Sequence, residues 1–225
     1  MKSVLSTKKL MPSQRELLIN AKISLVHYDA IHINFISFKV PASVENAIIT
    51  SQNAAKAIHD ANISIKNCFC VGKKTKALLE ENGLKVVKMT EYASELAPYL
   101  VENHKNAYFH FFCGNIRSDV IPSKLKENSV AFEEIKVYNT TLNPKKFERH
   151  FDAILFFSPS GIRSFVEGNT NINGEIPAFA GMTQAVCIGS TTASEAKKYT
   201  ENVVISNSTT VESVFAKAVK TLRNI

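Results

Sequence analysis

Hydrophobic positions along this chain gather into short apolar runs, separated by amphipathic stretches of helical length. The sharpest run is Ile154-Leu155-Phe156-Phe157, which ends in Ser158 and leads into Pro159-Ser160-Gly161. An earlier run, Ala47-Ile48-Ile49, ends in Thr50-Ser51 and leads into Gln52-Asn53-Ala54. Behind each comes a second apolar run that ends in Gly, with a Thr three residues on: Cys70-Val71-Gly72 with Thr75, and Cys187-Ile188-Gly189 with Thr192. The chain therefore reads as a duplication, and the later copy carries an insertion of about ten residues, which a repeat accommodates in a loop. Runs of β-branched and aromatic residues suit strands buried on both faces. A Ser or Asn just after such a strand accepts the free N–H groups that open a helix, so the repeated unit is strand–turn–helix.

The same patterning predicts the remaining elements. Val4-Leu5-Ser6 is a strand, Pro12–Glu16 opens a helix capped by Ser13, and residues 23–27 form a strand. Strands follow at Cys68–Val71, Val86-Val87, Tyr108–Cys113 and Val203–Ile205. Helices run from Thr75 to a stop at Gly83, from Ser94, over Pro122–Glu127, over Thr192–Tyr199, and from a capping box at Thr209–Glu212. Residues 166–184 are rich in Gly and Asn and read as a surface excursion that holds the insertion. Segments 31–36 and 134–141 alternate apolar with polar, as strands with one wet face do. They flank the first copy, so they are expected to pair antiparallel between two lobes. The expected fold is α/β, with two similar α/β lobes built on parallel sheets and joined by a two-stranded antiparallel β ladder. Lobe 1 would take residues 1–30 and 141–225, lobe 2 residues 37–134, and the linker strands residues 31–36 and 135–140.

Composition narrows the class. Hydrophobic residues make up 45% of 225 positions and charged residues 21%, ordinary for a globular protein. A net charge of +7 points to an anionic partner. The basic residues are dispersed, which disfavours nucleic acid. Cys68, Cys70, Cys113 and Cys187 sit in or beside apolar runs and form no CxxC pair, as buried thiols of a reducing compartment do. The histidines have no metal-ligand spacing. Met1–Lys9 lacks the apolar stretch of a secretory signal, and no run has the length of a membrane span. The expectation is a cytoplasmic protein.

Candidate chemistry sits in the turns. In an open α/β sheet, ligands bind beyond the carboxyl ends of the strands, where helix N-termini favour anions. Ser51, Thr75, Ser158, Ser160, Thr191 and Thr192 lie there. Each hydroxyl could simply cap its helix; the turns taken together favour a rim that faces a ligand.

The ordered set Val4-Leu5-Ser6-Thr7-Lys8, Thr50-Ser51-Gln52-Asn53-Ala54, Gly114-Asn115, Val137-Tyr138-Asn139-Thr140, Phe157-Ser158-Pro159-Ser160-Gly161 and Ile188-Gly189-Ser190-Thr191-Thr192-Ala193 resembles uroporphyrinogen-III synthase, nearly end to end. The resemblance implies two α/β lobes with the active site in the cleft between them. It implies that linear hydroxymethylbilane is cyclised with loss of water and inversion of the last pyrrole, without cofactor or metal. The partner would be this polycarboxylate tetrapyrrole, with no nucleic acid and no membrane. The protein would be a monomer in transient contact with the preceding pathway enzyme. Thr7, Lys8, Ser51, Asn53, Thr75, Asn115, Arg117, Ser158, Ser160, Thr191 and Thr192 would bind substrate carboxylates, and Tyr138 would assist departure of the hydroxyl. A packing ring is the other reading of Tyr138. This chain departs from the family pattern at Lys8, where Arg is common, at Ser118, where Arg is frequent and Arg117 precedes it here, and in its longer excursion. The competing class is a non-enzymatic two-lobed binding protein for an anionic small molecule; the absent signal peptide and absent DNA-binding segment count against it.

Overall fold

A computed structural model describes residues 1–179, 181 and 183–223. The chain runs β1 (Ser3–Ser6), α1 (Pro12–Asn20), β2 (Ser24–His27), β3 (Ile31–Phe35), β4 (Ser43–Ile49), α2 (Gln52–Asp60), β5 (Ser64–Val71), α3 (Lys73–Glu81), β6 (Val86–Thr90), α4 (Ala93–Asn103) and β7 (Tyr108–Gly114). It continues through α5 (Val120–Glu127), β8 (Ala131–Leu142), β9 (Ala153–Phe156), α6 (Pro159–Asn169), a 3-10 turn at Pro177–Phe179, β10 (Gln184–Cys187), α7 (Ser190–Ala196), β11 (Val203–Ile205) and α8 (Val211–Arg223). The fold is mixed α/β with parallel sheets. It divides into two compact units, one of residues 1–32 and 141–225, the other of residues 33–140.

The first unit holds the sheet β11-β10-β9-β1-β2, every neighbouring pair parallel. Alternate residues serve opposite faces. Leu5, Ile154, Phe156, Ala185 and Cys187 pack with Ile162 and Phe165 of α6 and Ala193 and Ala196 of α7. Val4, Ala153, Leu155 and Val186 pack with Leu18 of α1 and Val214, Phe215, Ala218 and Leu222 of α8. β1, β9 and the last three residues of β10 are therefore buried on both faces, which is why their sequences read as continuous apolar runs.

The second unit repeats the plan on β3-β8-β7-β4-β5-β6, in which β8 through β6 are parallel neighbours. Ala47, Ile49, Cys68, Cys70 and Phe112 face α2 and α3, while Ile48, Phe69, Phe109 and Phe111 face α4 and α5. β3 adds to β8. The Ile36 N–H donates to the Val137 carbonyl at 3.2 Å, and the Thr141 hydroxyl to the His32 carbonyl at 3.4 Å. Partner numbers fall as strand numbers rise, so this edge pair is antiparallel. β4 is flanked by β5 and β6 on one side and by β7 and β8 on the other; β9 is flanked by β10 and β11, and by β1 and β2. Five strands of each sheet follow one plan, begun at a different strand in each unit, and the second sheet adds β3 at its edge.

Several local expectations are corrected. Ser13 lies inside α1; Pro12 takes the first helical position, which needs no N–H, and the Gln14 side chain accepts the Met11 N–H at 3.1 Å. Ser94 is likewise inside α4, whose N-cap is Tyr92. At α8 the capping hydroxyl is that of Thr210, which accepts the Ser213 N–H at 3.1 Å. The expected surface excursion over 166–184 is partly core. α6 runs on to Asn169, and Phe179 returns to bury its ring 5.5 Å from Phe165 and 6.1 Å from Phe156, centroid to centroid. An apolar ring of this size gains about 2–3 kcal/mol by leaving water, enough to draw the loop back. Ala180 and Met182, within that excursion, lie outside the described residues.

Candidate active site

In parallel sheets the strand-to-helix turns all fall at one edge, and both units have such a rim. In the second unit Ser51 follows β4 with extended backbone, and its Oγ accepts the Ala54 N–H at 3.0 Å, capping α2. The same Oγ lies 3.1 Å from the hydroxyl of Tyr138. Tyr138 comes from β8, two strands away, and reaches Ser51 across the end of β7, which stops at Gly114. A Cβ on Gly114 would stand 2.5 Å and 2.6 Å from two carbons of the Tyr138 ring and 3.0 Å from its hydroxyl oxygen. Only glycine lets the ring cross there.

Strict alternation along β8 would turn Tyr138 away from Val137, yet both belong to the core beneath α2. The register between β7 and β8 slips by one residue at Cys113/Gly114, so that Cys113 faces Lys136 and Gly114 faces Tyr138. Such a slip re-aims a side chain, as bulges commonly do beside functional sites. Tyr138 is 7% exposed and packs as core does. Burial raises its pKa; the Ser51 hydrogen bond pulls it down, and the nearby Cys113 thiol pushes it up.

The other expected residues of this rim divide in two. Asn115 pairs through both ends of its amide with the backbone of Thr140, donating to the carbonyl at 3.1 Å and accepting the N–H at 2.7 Å. Arg117 presents its fork to Glu134 at 2.6 and 2.7 Å and also pairs with Asp119; these carboxylates hold its guanidinium firmly protonated. By contrast, Asn53 and Thr75 make no side-chain hydrogen bond among the described residues. Thr75 is 4% exposed on the first turn of α3. That helix opens at Gly72, whose φ of +87° suits glycine and whose N–H donates to the Thr90 carbonyl at 2.8 Å.

In the first unit Ser158 caps α6, accepting the Gly161 N–H at 3.0 Å. Thr7 follows β1; its backbone N–H and its hydroxyl both donate to the Leu155 carbonyl, at 3.1 and 2.7 Å. A Cβ on Gly161 would lie 3.4 Å from Ser158 Oγ and 3.5 Å from Thr7 Oγ1, so these two side chains share the start of α6. Lys8 and Thr191 are exposed, whereas Ser160 and Thr192 are buried. Sequence reasoning points to Ser51, Ser158 and Tyr138, but it misses Gly114 as the space the phenol needs and Glu134 as the partner of Arg117. Both come from strands whose register no local pattern discloses. Among the described residues, no three His, Cys, Asp or Glu side chains are placed to hold a metal ion, and no helix is long and apolar enough to cross a membrane.

The family model for uroporphyrinogen-III synthase HemD matches residues 23–216. The chain belongs to the uroporphyrinogen-III synthase family. A porphyrin biosynthesis protein HemD of Ruminiclostridium josui is 29% identical over 162 residues, covering 65% of this chain and 30% of the relative. A putative uroporphyrinogen-III synthase of Archaeoglobus fulgidus is 29% identical over 147 residues, 61% of this chain and 63% of the relative. The chain thus spans less than two thirds of either relative's length. The solved uroporphyrinogen-III synthetase of Helicobacter pylori superposes with a TM-score of 0.67 over 98% of this chain and 100% of that one, at 15% identity. At that identity the likeness speaks for the fold.

Proposed function

We propose that this protein is a uroporphyrinogen-III synthase, which closes hydroxymethylbilane to uroporphyrinogen III with inversion of the last pyrrole and release of water, in haem biosynthesis. The observation that carries the reading is the family match over residues 23–216. Tyr138 is the catalytic residue. The bond that breaks joins the terminal methylene carbon to its hydroxyl. The pyrrole nitrogen's electrons assist departure and leave an azafulvene cation, while the phenol proton goes to the leaving oxygen, which departs as water. The substituted α-carbon of the far ring attacks that cation to give a spiro intermediate. That carbon's old bond to the neighbouring methylene then breaks, leaving a second azafulvene cation, and the far ring's free α-carbon attacks this to close the macrocycle with the ring inverted. The proton finally lost from the newly bonded α-carbon of the attacking ring restores the phenol, so the step balances without cofactor or metal.

Substrate carboxylates are held at the turns. Lys8, Asn53, Thr75, Ser160, Thr191 and Thr192 bind them, together with backbone N–H groups that open the helices. Thr7, Ser51, Asn115, Arg117 and Ser158 shape the turns that present these groups, since each already engages a neighbour. The net charge of +7 draws in a polyanion. The protein works as a soluble cytoplasmic monomer that takes the bilane from the preceding enzyme. The test is to add purified protein to hydroxymethylbilane as it is generated enzymatically and to separate the oxidised products. Spontaneous closure gives the type I isomer, so an excess of type III supports the proposal and type I alone refutes it.

A further inference from the structure

Ser51 touches the phenol and a helix end at once. Its hydroxyl has one proton and two lone pairs, and the Ala54 N–H occupies one lone pair at 3.0 Å. The remaining contact, to Tyr138 Oη at 3.1 Å, can run either way. If Tyr138 donated, its proton would be engaged by Ser51. If Ser51 donates, the phenol keeps its own proton for transfer, and the chain Ala54 N–H, Ser51 O–H, Tyr138 Oη points all its dipoles at the oxygen that becomes phenolate. Hydrogen bonds in series strengthen one another, and the positive end of α2 stands behind this one. Ser158, the counterpart cap in the other unit, accepts the Gly161 N–H in the same way, but no tyrosine hydroxyl joins it among the described residues.

We propose that Ser51 is a positioning residue for Tyr138, whose hydroxyl it orients by donating a hydrogen bond to Oη, coupling the phenol to the N-terminus of α2. This deepens the proposed function and rests on it for the catalytic consequence, though the contact itself does not. The other titratable group that acts on the phenol is Cys113 of β7, with a thiol that burial also pushes upward, and it raises the Tyr138 pKa. Ser51 opposes both effects.

The experiment compares Ser51→Ala, Ser51→Thr and Ser51→Asp in the full chain, with two readouts. The first needs no substrate: the 13Cζ resonance of Tyr138, identified by its absence in Tyr138→Phe, is followed against pH. Its midpoint should move up in Ser51→Ala, return in Ser51→Thr, and move furthest up in Ser51→Asp. Asp caps a helix as well as Ser does but sets an anion against the phenol. The second is kinetic. kcat should fall about five- to tenfold in Ser51→Ala, at least as far in Ser51→Asp, and be largely restored in Ser51→Thr, with KM within about twofold in Ala and Thr. In a Tyr138→Phe background, Ser51→Ala should add little. A Tyr138 midpoint that ignores all three changes, or a Ser51→Asp protein with full kcat, would reduce Ser51 to a cap and overturn the proposal. A midpoint that moves while kcat does not would overturn the positioning role alone. Wild-type protein that yields only type I isomer would sink the proposed function, while the resonance would still report the contact.

Discussion

Gly114→Ala tests the crossing of Tyr138 over the end of β7. The added methyl would lie 2.5 Å and 2.6 Å from two ring carbons and 3.0 Å from the hydroxyl oxygen. Carbon atoms rest about 3.5–4.0 Å apart, so the ring must retreat by about 1 Å. It is packed among Ile49, Ala54, Phe112 and Val137, and little around it can yield. Overpacking of this kind costs roughly 1–3 kcal/mol; about 2 kcal/mol lowers the melting temperature of a chain this size by some 4–8 °C. The retreat also carries the hydroxyl off Ser51, so kcat should fall toward that of Tyr138→Phe. A double-mutant cycle separates the clash from any other effect of the alanine. Leucine at 138 has no atoms beyond the inner ring positions, so in a Tyr138→Leu background Gly114→Ala should cost under about 0.5 kcal/mol. Calorimetry on the four proteins reads the coupling. Equal costs in both backgrounds would show that Gly114 serves the backbone and not the ring.

Tyr138→Phe should keep the fold, because Ser51 still caps α2 through Ala54, and should slow turnover roughly ten- to a hundredfold; a folded variant with full kcat removes the donor role. Arg117→Met should cost about 1 kcal/mol, since it strips Glu134 of a two-point partner on a partly exposed surface, while KM for the bilane stays within about twofold; a large rise in KM would return Arg117 to substrate. Acid should destabilise the first unit. Burial opposes ionisation of Asp152 and Glu195, but Ser3 and Lys2 outweigh it for the one, and Arg163 and Lys198 for the other, leaving both folded pKa values lowered. Their stabilisation is complete above the unfolded carboxylate values near 4 and is lost as pH falls through the lower folded values. The melting temperature should therefore drop from about pH 5 to pH 3, and less steeply in Asp152→Asn and Glu195→Gln; parallel curves for variants and wild type would exclude these ion pairs as the cause.

What can be read from sequence are features that local chemistry decides. Runs such as Ala153–Phe156 are apolar at every position because helices cover both faces, and Ser51 and Ser158 stand where a helix needs its first acceptor. Ser13, Ser94 and Thr209 mislead because several polar residues crowd each helix start. The winner depends on backbone detail: Pro12 at the first helical position, or Thr210 one residue further in. Phe179 is invisible as core because it lies alone between small residues, Pro177, Ala178, Ala180 and Gly181, in a loop rich in Gly and Asn, and only Phe156 of the sheet and Phe165 of α6, brought near by the fold, give it a place. Tyr138 stands out in the sequence, but for its face the alternation argument fails. A slip between strands, not the residues of β8, turns it toward Ser51, and that slip works only because residue 114 has no side chain.

The duplication also explains why the two rims differ. In the second unit the strand beside β4 is β7, which ends in Gly114. In the first unit the equivalent neighbour of β9 is β1, which the chain lays down before anything else. Its end supplies Thr7, hydrogen-bonded to Leu155 across a closure of 148 residues. With the capping serines aligned, the registers set Thr7 level with Phe112, two residues short of Gly114. Gly114, at the end of β7, lets a side chain from the next strand cross to the capped helix. Thr7 fastens β1 to β9 through its hydroxyl. The two rims therefore differ in what meets the strand beside the capped helix: in one a phenol crosses over glycine to the capping serine, and in the other a threonine hydroxyl ties the neighbouring strand down.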